Sequence, residues 1–317
     1  MYYLGIDLGG TNIVAGVVDE DGNIIVKASC KTNLPRSQEE ICDDMATVAL
    51  KALESAGLTK NDINYIGIGA PGAVNGSTGV IEFTNNFNFH NWRIGDMMNE
   101  RLGVDIYIEN DANAAAYGEF MVGAAKDAND AIVITLGTGV GGGIIIDGQI
   151  YSGSNYAGAE LGHMVIQHGG RQCSCGRKGC WEAYSSATGL INMTKEATIN
   201  PYNNNSILYK MIEGDTSKIT GKTAFDAAAQ GCEVGKAIID EYIAYLGTGL
   251  VNIINIFQPE LLCIGGGVSS QGRALIDPLR KIIETERYTK HNNKQTEVCL
   301  CQLGNDAGII GAAFLGK

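Results

Sequence analysis

The chain opens with an apolar run over residues 2–7, a Gly-Gly-Thr break, and a second apolar run over 13–18. Asp21-Gly22 then marks a turn and 23–29 supplies a third extended segment, so the pattern predicts three strands joined by tight turns. Residues 38–56 change to a helical period, with Ile41, Met45, Val48 and Leu53 on one face and Gly57 as the stop. Ile63–Ile68 and 104–108 read as strands, and the second runs into an Ala-rich helix from about Ala112.

The pattern then restarts. Ile132–Leu136 is an apolar strand, Gly137-Thr138-Gly139 breaks it, Ile144–Ile146 is apolar again and Asp147-Gly148 turns. The segment Ile6-Asp7-Leu8-Gly9-Gly10-Thr11 matches Ile134-Thr135-Leu136-Gly137-Thr138-Gly139, and Asp21-Gly22-Asn23-Ile24 matches Asp147-Gly148-Gln149-Ile150. Strand, Gly turn, strand, turn, strand thus begins each of two similar α/β lobes, an internal duplication. The second copy continues with helices near 183–198, 223–231 and 233–256, a strand at 261–264 before Gly265-Gly266-Gly267, a helix at 272–286, a strand at 297–303 and a last helix from about Ala307. The polar, Asn-rich stretch 200–222 reads as a surface excursion. The expected division is an N-terminal lobe over 1–118 and a C-terminal lobe over 119–305, with the final helix, about 306–317, packing back on the first lobe.

Composition narrows the class. A chain of 317 residues suggests about two domains, and 45% apolar with 18% charged residues excludes a disordered or fibrous chain. The net charge of −12, with no basic cluster, speaks against nucleic acid as a partner. The first basic residue is Lys27, so no basic segment of a secretory signal precedes it. Neither Ala131–Ile146, with its glycines, nor Tyr242–Pro259, with Asn252, Asn255 and Gln258, reads as a membrane span. Of nine cysteines only Cys173, Cys175 and Cys180 cluster, which suggests a reducing, cytoplasmic setting and a metal site rather than disulfides. The 43 glycines are about twice the usual share of roughly 7% and point to turns that approach a ligand closely.

Two familiar phosphate motifs are excluded by context. Gly137-x-Gly139-x-x-Gly142 fits the dinucleotide fingerprint, but a strand follows where that motif needs a helix. Gly221-Lys222-Thr223 resembles the end of a P-loop, but Thr216 stands where its first glycine belongs. What remains is two Gly turns between adjacent strands and a third Gly run after a strand, where backbone N–H groups can face phosphate oxygens. Cys-x-Cys-x4-Cys offers three soft thiolates suited to zinc, with His163 and His168 both available as a fourth ligand. Asp111, at a strand end before a helix, reads first as a helix cap.

Three segments, Asp7-Leu8-Gly9-Gly10-Thr11-Asn12, Leu136-Gly137-Thr138-Gly139-Val140-Gly141-Gly142 and Gly265-Gly266-Gly267-Val268, resemble the phosphate-1, phosphate-2 and adenosine segments of actin-like sugar kinases. Glu160-Leu161-Gly162-His163 and the run Cys173-Ser174-Cys175-Gly176-Arg177-Lys178-Gly179-Cys180-Trp181-Glu182 resemble the ROK family (repressor, open reading frame, kinase), close to its bacterial glucokinases. The resemblance runs from about residue 3 to Gly308. It implies a two-lobed actin-like ATPase (ribonuclease H-like) fold with duplicated lobes and a central cleft. The activity implied is phosphoryl transfer from ATP to a hexose hydroxyl, a step of glycolysis or other carbohydrate metabolism.

The same resemblance assigns roles. Asp111 becomes the general base, and Asn305-Asp306, which also precedes a helix, becomes a cap. Asn86, Asn110, Asp111, Glu160, His163 and Glu182 would contact the sugar, with Asn85 an alternative to Asn86 because Thr84-Asn85-Asn86 stands where the family often has Thr-Pro-Asn. Asp7 would meet Mg²⁺ through water. Gly9, Gly10, Thr11, Asn12, Thr138, Gly139, Gly266 and Gly267 would line the ATP. His163 would join Cys173, Cys175 and Cys180 on a structural Zn²⁺, one ring nitrogen on the metal and the other toward a sugar hydroxyl. His168 would be a solvated loop residue, and no lysine stands out as a phosphate clamp.

Glucose is the expected substrate, because Glu182-Ala183-Tyr184-Ser185-Ser186-Ala187-Thr188-Gly189 looks most like the glucokinase members. N-acetylmannosamine, N-acetylglucosamine, allose and fructose are the alternatives. A sugar-responsive repressor is disfavoured because Asp7 leaves no room ahead of it for a winged helix, and a non-catalytic sugar-binding relic because Asp111 and all three Gly segments are present. Family members are homodimers or homotetramers, which is the expected assembly; no membrane partner is expected.

Overall fold

The computed structural model describes all 317 residues. The first elements are β1 (Tyr2–Leu8), β2 (Asn12–Asp19), β3 (Ile24–Lys31), α1 (Gln38–Ser55) and β4 (Ile63–Ala70). Three short strands follow, β5 (Ala73–Asn75), β6 (Val80–Thr84) and β7 (Phe89–Trp92), then α2 (Ile94–Leu102), β8 (Asp105–Asn110) and α3 (Asp111–Val122). The second copy begins with β9 (Ala131–Leu136), β10 (Val140–Ile146) and β11 (Gln149–Ile150). Five helices come next: α4 (Glu182–Ser185), α5 (Ala187–Ile199), α6 (Ile207–Met211), α7 (Thr223–Ala229) and α8 (Glu233–Phe257). The chain ends with β12 (Leu261–Gly265), α9 (Arg273–Glu286), β13 (Glu297–Leu300) and α10 (Ala307–Phe314).

Two five-stranded sheets share one order, β3-β2-β1-β4-β8 and β11-β10-β9-β12-β13. Position by position, β9 to β11 take the places of β1 to β3, and β12 and β13 those of β4 and β8. The duplicated Gly turns therefore begin two copies of one topology. In the first sheet β1 is antiparallel to β2 and parallel to β4, which is parallel to β8. Parallel neighbours need a crossover, and α1 and α2 lie in the connections that supply it.

Two compact units emerge: Met1–Val133 with Gly143–Ala159 and Cys301–Lys317, and Ile134–Gly142 with Glu160–Leu300. The first unit runs past residue 118 because α3 continues to Val122 and Gly143 of β10 lies against it, where a Cβ would run into Ala116. Its sheet is covered on both faces. Leu4, Ile6 and Leu8 share one cluster with Ile41, Met45 and Val48 of α1. Tyr3, Val18 and Tyr65 share another with Ile309, Ile310 and Phe314 of α10. Burial on both faces explains why β1 reads as a nearly continuous apolar run. Approach on the second face is backbone-close: a Cβ on Gly67 would run into the Ala312 carbonyl, and one on Gly311 into that of Ala114. Glu119, buried at the end of α3, accepts from the N–H groups of Ala124 at 2.8 Å, Gln302 at 3.0 Å and Leu303 at 2.8 Å. It ties α3 to the turn that delivers α10.

The second unit is built on α8, which buries Tyr242, Leu246, Leu250 and Ile254 among others. It is the one helix long and apolar enough to cross a membrane, and most of its apolar window is buried, as a core helix requires.

Four segments differ from the pattern reading. Hydrophobic periodicity assigns nothing between 71 and 103, where β5, β6 and β7 form a separate sheet ahead of α2; strands of three to five residues are too short for alternation to register. The helix expected over 183–198 is two helices, because Ser186 turns extended and its hydroxyl accepts from Gly189 N at 3.0 Å, capping α5. The excursion 200–222 carries α6 and buries Leu208, Ile212 and Ile219. The strand expected to reach 303 ends at Leu300.

Candidate active site and metal centre

The first Gly turn closes on Gly9 N donating to Asn12 O at 2.9 Å, and buried Thr32 holds it from below, its hydroxyl donating to Gly9 O at 2.7 Å. Gly10, Thr11 and Asn12 are exposed on this turn. Asp7, near the end of β1, is withdrawn from water, and Asp111 lies close enough to add repulsion; burial first and that charge second raise its pKa to about 6.

The end of β8 carries Glu109 and Asn110, and α3 begins at Asp111. Asn110, not Asp111, is the cap: its Oδ1 accepts from Ala112 N at 2.9 Å and Asn113 N at 3.2 Å, and its Nδ2 donates to Gly72 O at 3.0 Å. This corrects the cap reading of Asp111 and commits most of the Asn110 amide to the backbone. Asp111 Oδ1 accepts from Ala112 N at 2.9 Å. Burial raises its pKa, and the helix-start N–H groups only partly oppose that. Glu109 had no place in the sequence reading. Its carboxylate accepts from Asn110 N at 2.8 Å, Asn113 Nδ2 at 3.0 Å and Ser152 Oγ at 3.3 Å, and burial raises its pKa as well. The signal available was a run of three polar residues closing an apolar strand. Asp306 sits ahead of α10 but makes no side-chain cap; it pairs with Lys27 at 2.7 Å, which corrects its reading as a cap.

Lys31 was also missed. The β2–β3 register sets it opposite Asn12, and its Nζ donates to Asn12 Oδ1 at 2.9 Å, putting a cation on the first Gly turn. No local motif marks it, because strand pairing alone brings it there. Asn85 and Asn86 are both exposed in the turn between β6 and β7, flanked by buried Thr84 and Phe87.

In the second unit the other two Gly segments meet. Gly137 N donates to Gly139 O at 3.0 Å, while Ala187 N and Thr188 Oγ1 at the start of α5 donate to the carbonyls of Gly137 and Thr138 at 2.8 and 2.7 Å. Gly266 has φ +82° and lies so close to β9 that a Cβ would come within 2.5 Å of Leu136 O, and Gly267 opens a short 3-10 turn. A cavity of about 350 Å³ adjoins the turn, lined by Thr138, Gly139, Ser174, Glu182, Ser186 and Thr188.

His163, Cys173, Cys175 and Cys180 gather their donor atoms within 4.8 Å of one another. His168 stays exposed outside the cluster. Cys175 and Cys180 sulfurs are 3.7 Å apart, and Cys173 Sγ is 3.6 Å from His163 Nδ1. Tetrahedral zinc, with bonds of about 2.3 Å to sulfur and about 2.0 Å to nitrogen, sets its ligands about 3.5–3.8 Å apart. The donor set and its spacing therefore fit that ion. Burial pushes the Cys180 thiol up to about 12, while the Arg177 N–H lowers Cys175. His163 Nε2 is turned the other way, 4.0 Å from Glu160 Oε2. The motif is anchored by Trp181, fully buried, whose Nε1 donates to Tyr245 O of α8 at 3.1 Å; a Cβ on Gly249 would enter its ring. Glu182 spends both oxygens on its own unit: Oε2 accepts from Val140 N at 3.0 Å and Oε1 from Ser174 Oγ at 3.2 Å.

Within the first unit the structure brings together Asp7, Asn110 and Asp111, and within the second Glu160, His163, Glu182 and the three cysteines. The ROK family model matches residues 3–317. The chain is 37% identical to a glucokinase of Streptomyces coelicolor over 99% of this chain and 97% of that one, and 37% identical to a glucokinase of Thermotoga maritima over 99% and 96%. It is 28% identical to a xylose repressor of Bacillus subtilis, covering 99% of this chain and 76% of the repressor. Among solved structures, a ROK family glucokinase from Streptomyces griseus in complex with glucose and AMPPNP superposes with a TM-score of 0.82 at 36% identity, covering 99% of each chain. Full-length similarity of this kind, on a doubled sheet topology with a three-cysteine loop, carries the two-lobed actin-like ATPase fold with it, and the chain belongs to the ROK family.

Proposed function

We propose that this chain is an ATP-dependent hexose kinase that converts glucose to glucose 6-phosphate. The observation that carries the reading is Asp111: a carboxylate withdrawn from water, held by helix-start N–H groups, beside a second raised carboxylate and the first Gly turn. A carboxylate so placed is a competent base, because burial raises its affinity for the proton it must take. The sugar hydroxyl oxygen attacks the γ-phosphorus, its proton passes to Asp111, and the bond to the bridging oxygen breaks to release ADP. Asp7 would hold Mg²⁺ through water, and the ion would neutralise charge on the phosphates. The exposed Gly turns and Lys31 receive the phosphate chain. Asn86, Glu160 and His163 recognise the sugar hydroxyls, with Glu182 a further candidate. His163, through Nδ1, and Cys173, Cys175 and Cys180 would hold a structural Zn²⁺, which would fix the His163 tautomer and leave Nε2 to donate to a sugar hydroxyl. Nine cysteines, three of them gathered in the candidate metal centre, suit a cytoplasmic enzyme. A homodimer or homotetramer is the expected assembly.

The test is a coupled ADP-release assay with Mg²⁺-ATP on zinc-replete protein. The panel is glucose, mannose, fructose, allose, N-acetylglucosamine and N-acetylmannosamine. Glucose should give the highest kcat/KM. A higher value for an N-acetylated sugar would keep the mechanism and change the substrate. Turnover of none would overturn the kinase reading.

A further inference from the structure

We infer that Glu182 is a positioning residue that couples the three-cysteine loop to the Gly turn of the second unit, so that nucleotide affinity depends on the state of the metal centre. The inference rests on the zinc reading of that centre. Val140, the first residue after the turn, is gripped on both sides of its peptide. Its N–H donates to Glu182 Oε2 at 3.0 Å. Its carbonyl is packed by Gly162, where a Cβ would run into that oxygen. Gly162 adjoins His163, and Glu182 follows Cys180 by two residues. Both arms of the metal cluster therefore end on one residue of the turn. Gly139 is hemmed in as well, since a Cβ there would run into Glu182 Oε2.

The other end of the strut lies in the cysteine loop. Glu182 Oε1 accepts from Ser174 Oγ at 3.2 Å and stands 3.7 Å from Cys173 Sγ. A metal-bound thiolate has no proton to give, so Ser174 is the donor that remains once the cluster is filled. The start of α5 fixes the carbonyls of Gly137 and Thr138, and Glu182 fixes the N–H side at Val140. With Val140 N so engaged and Gly137 N bonded to Gly139 O, Thr138 and Gly139 would supply the N–H groups that meet phosphate oxygens. A carboxylate bond to a backbone N–H is charge-assisted and stronger than a neutral one. Its loss leaves the turn held along one edge only.

The experiment titrates a non-hydrolysable ATP analogue with Mg²⁺, sugar omitted, so that any role of Glu182 in sugar binding is silent. Wild type, zinc-stripped wild type, E182Q and S174A are compared by calorimetry, with zinc content and circular dichroism recorded for each. E182Q and stripped wild type should bind the analogue about tenfold more weakly. S174A, an exposed hydroxyl whose loss leaves the core intact, should lose several-fold at unchanged zinc content. Stripping E182Q should weaken binding less than stripping wild type does, because the hydrogen-bonded arm is already cut. The coupling is overturned if E182Q and S174A bind as wild type does, or if stripping weakens E182Q as much as it weakens wild type. If wild type takes up no zinc, the metal dependence is overturned together with the metal reading, and E182Q and S174A then show only whether Glu182 braces the turn.

Discussion

Asp111 and Asp7 are carboxylates placed where ionising them is hard, and both must be ionised to work as base and as Mg²⁺ partner. Burial first and the nearby Asp111 second raise the Asp7 pKa to about 6, and burial raises Asp111 above its ordinary value, so kcat/KM should fall as pH drops through about 6. A profile flat down to pH 5 would remove these assignments. D111N should lower kcat by about 10²–10⁴-fold with little change in Tm, as expected for loss of a base; undiminished turnover would sink the role. At this scale the position of Asp111 at a strand-to-helix junction is visible locally, where it reads as a cap; its role as base came from the resemblance. Asn110 as the true cap and Glu109 behind it were not visible, because a cap is defined by which side chain reaches which N–H.

Elements were legible where they were long. Both Gly turns, α1, α8 and the strands of the two main sheets follow the apolar pattern closely. The pattern failed over β5 to β7, whose strands are short, and at Ser186, where one capping hydroxyl divides an expected helix. The closeness of α10 to the first sheet and to α3 lies in glycines that carry no pattern. Gly311→Ala would push a methyl into the Ala114 carbonyl. Overpacking of this kind costs about 1–3 kcal/mol or more, so Tm should drop by several degrees. An unchanged Tm would mean that α10 can shift outward freely.

For the whole molecule, the raised carboxylates link stability to pH and to ligand. The folded pKa of Asp7, about 6, exceeds its unfolded value of 3.8. Its contribution is therefore fully present below pH 3.8 and is lost as pH rises through about 6. Mg²⁺-nucleotide, by favouring the ionised form, should restore that loss. The Tm gain on adding Mg²⁺ and the ATP analogue should be larger at pH 7.5 than at pH 5. Equal gains at both would show that Asp7 does not face the metal.

What the sequence by itself determined is whatever rides on short spacing: the doubled strand–Gly turn–strand pattern, three thiolates within one loop, and the carboxylate at a strand end. These are properties of neighbours along the chain, and the backbone geometry that follows from them is nearly forced. The resemblance had already chosen His163 over His168; the tertiary structure alone decided through which nitrogen it faces the sulfurs, that Lys31 rests on Asn12, and that Glu182 grips Val140. Each is a contact of a few ångströms between residues from 10 to 42 positions apart. Such a contact depends on register and packing, which local pattern does not encode.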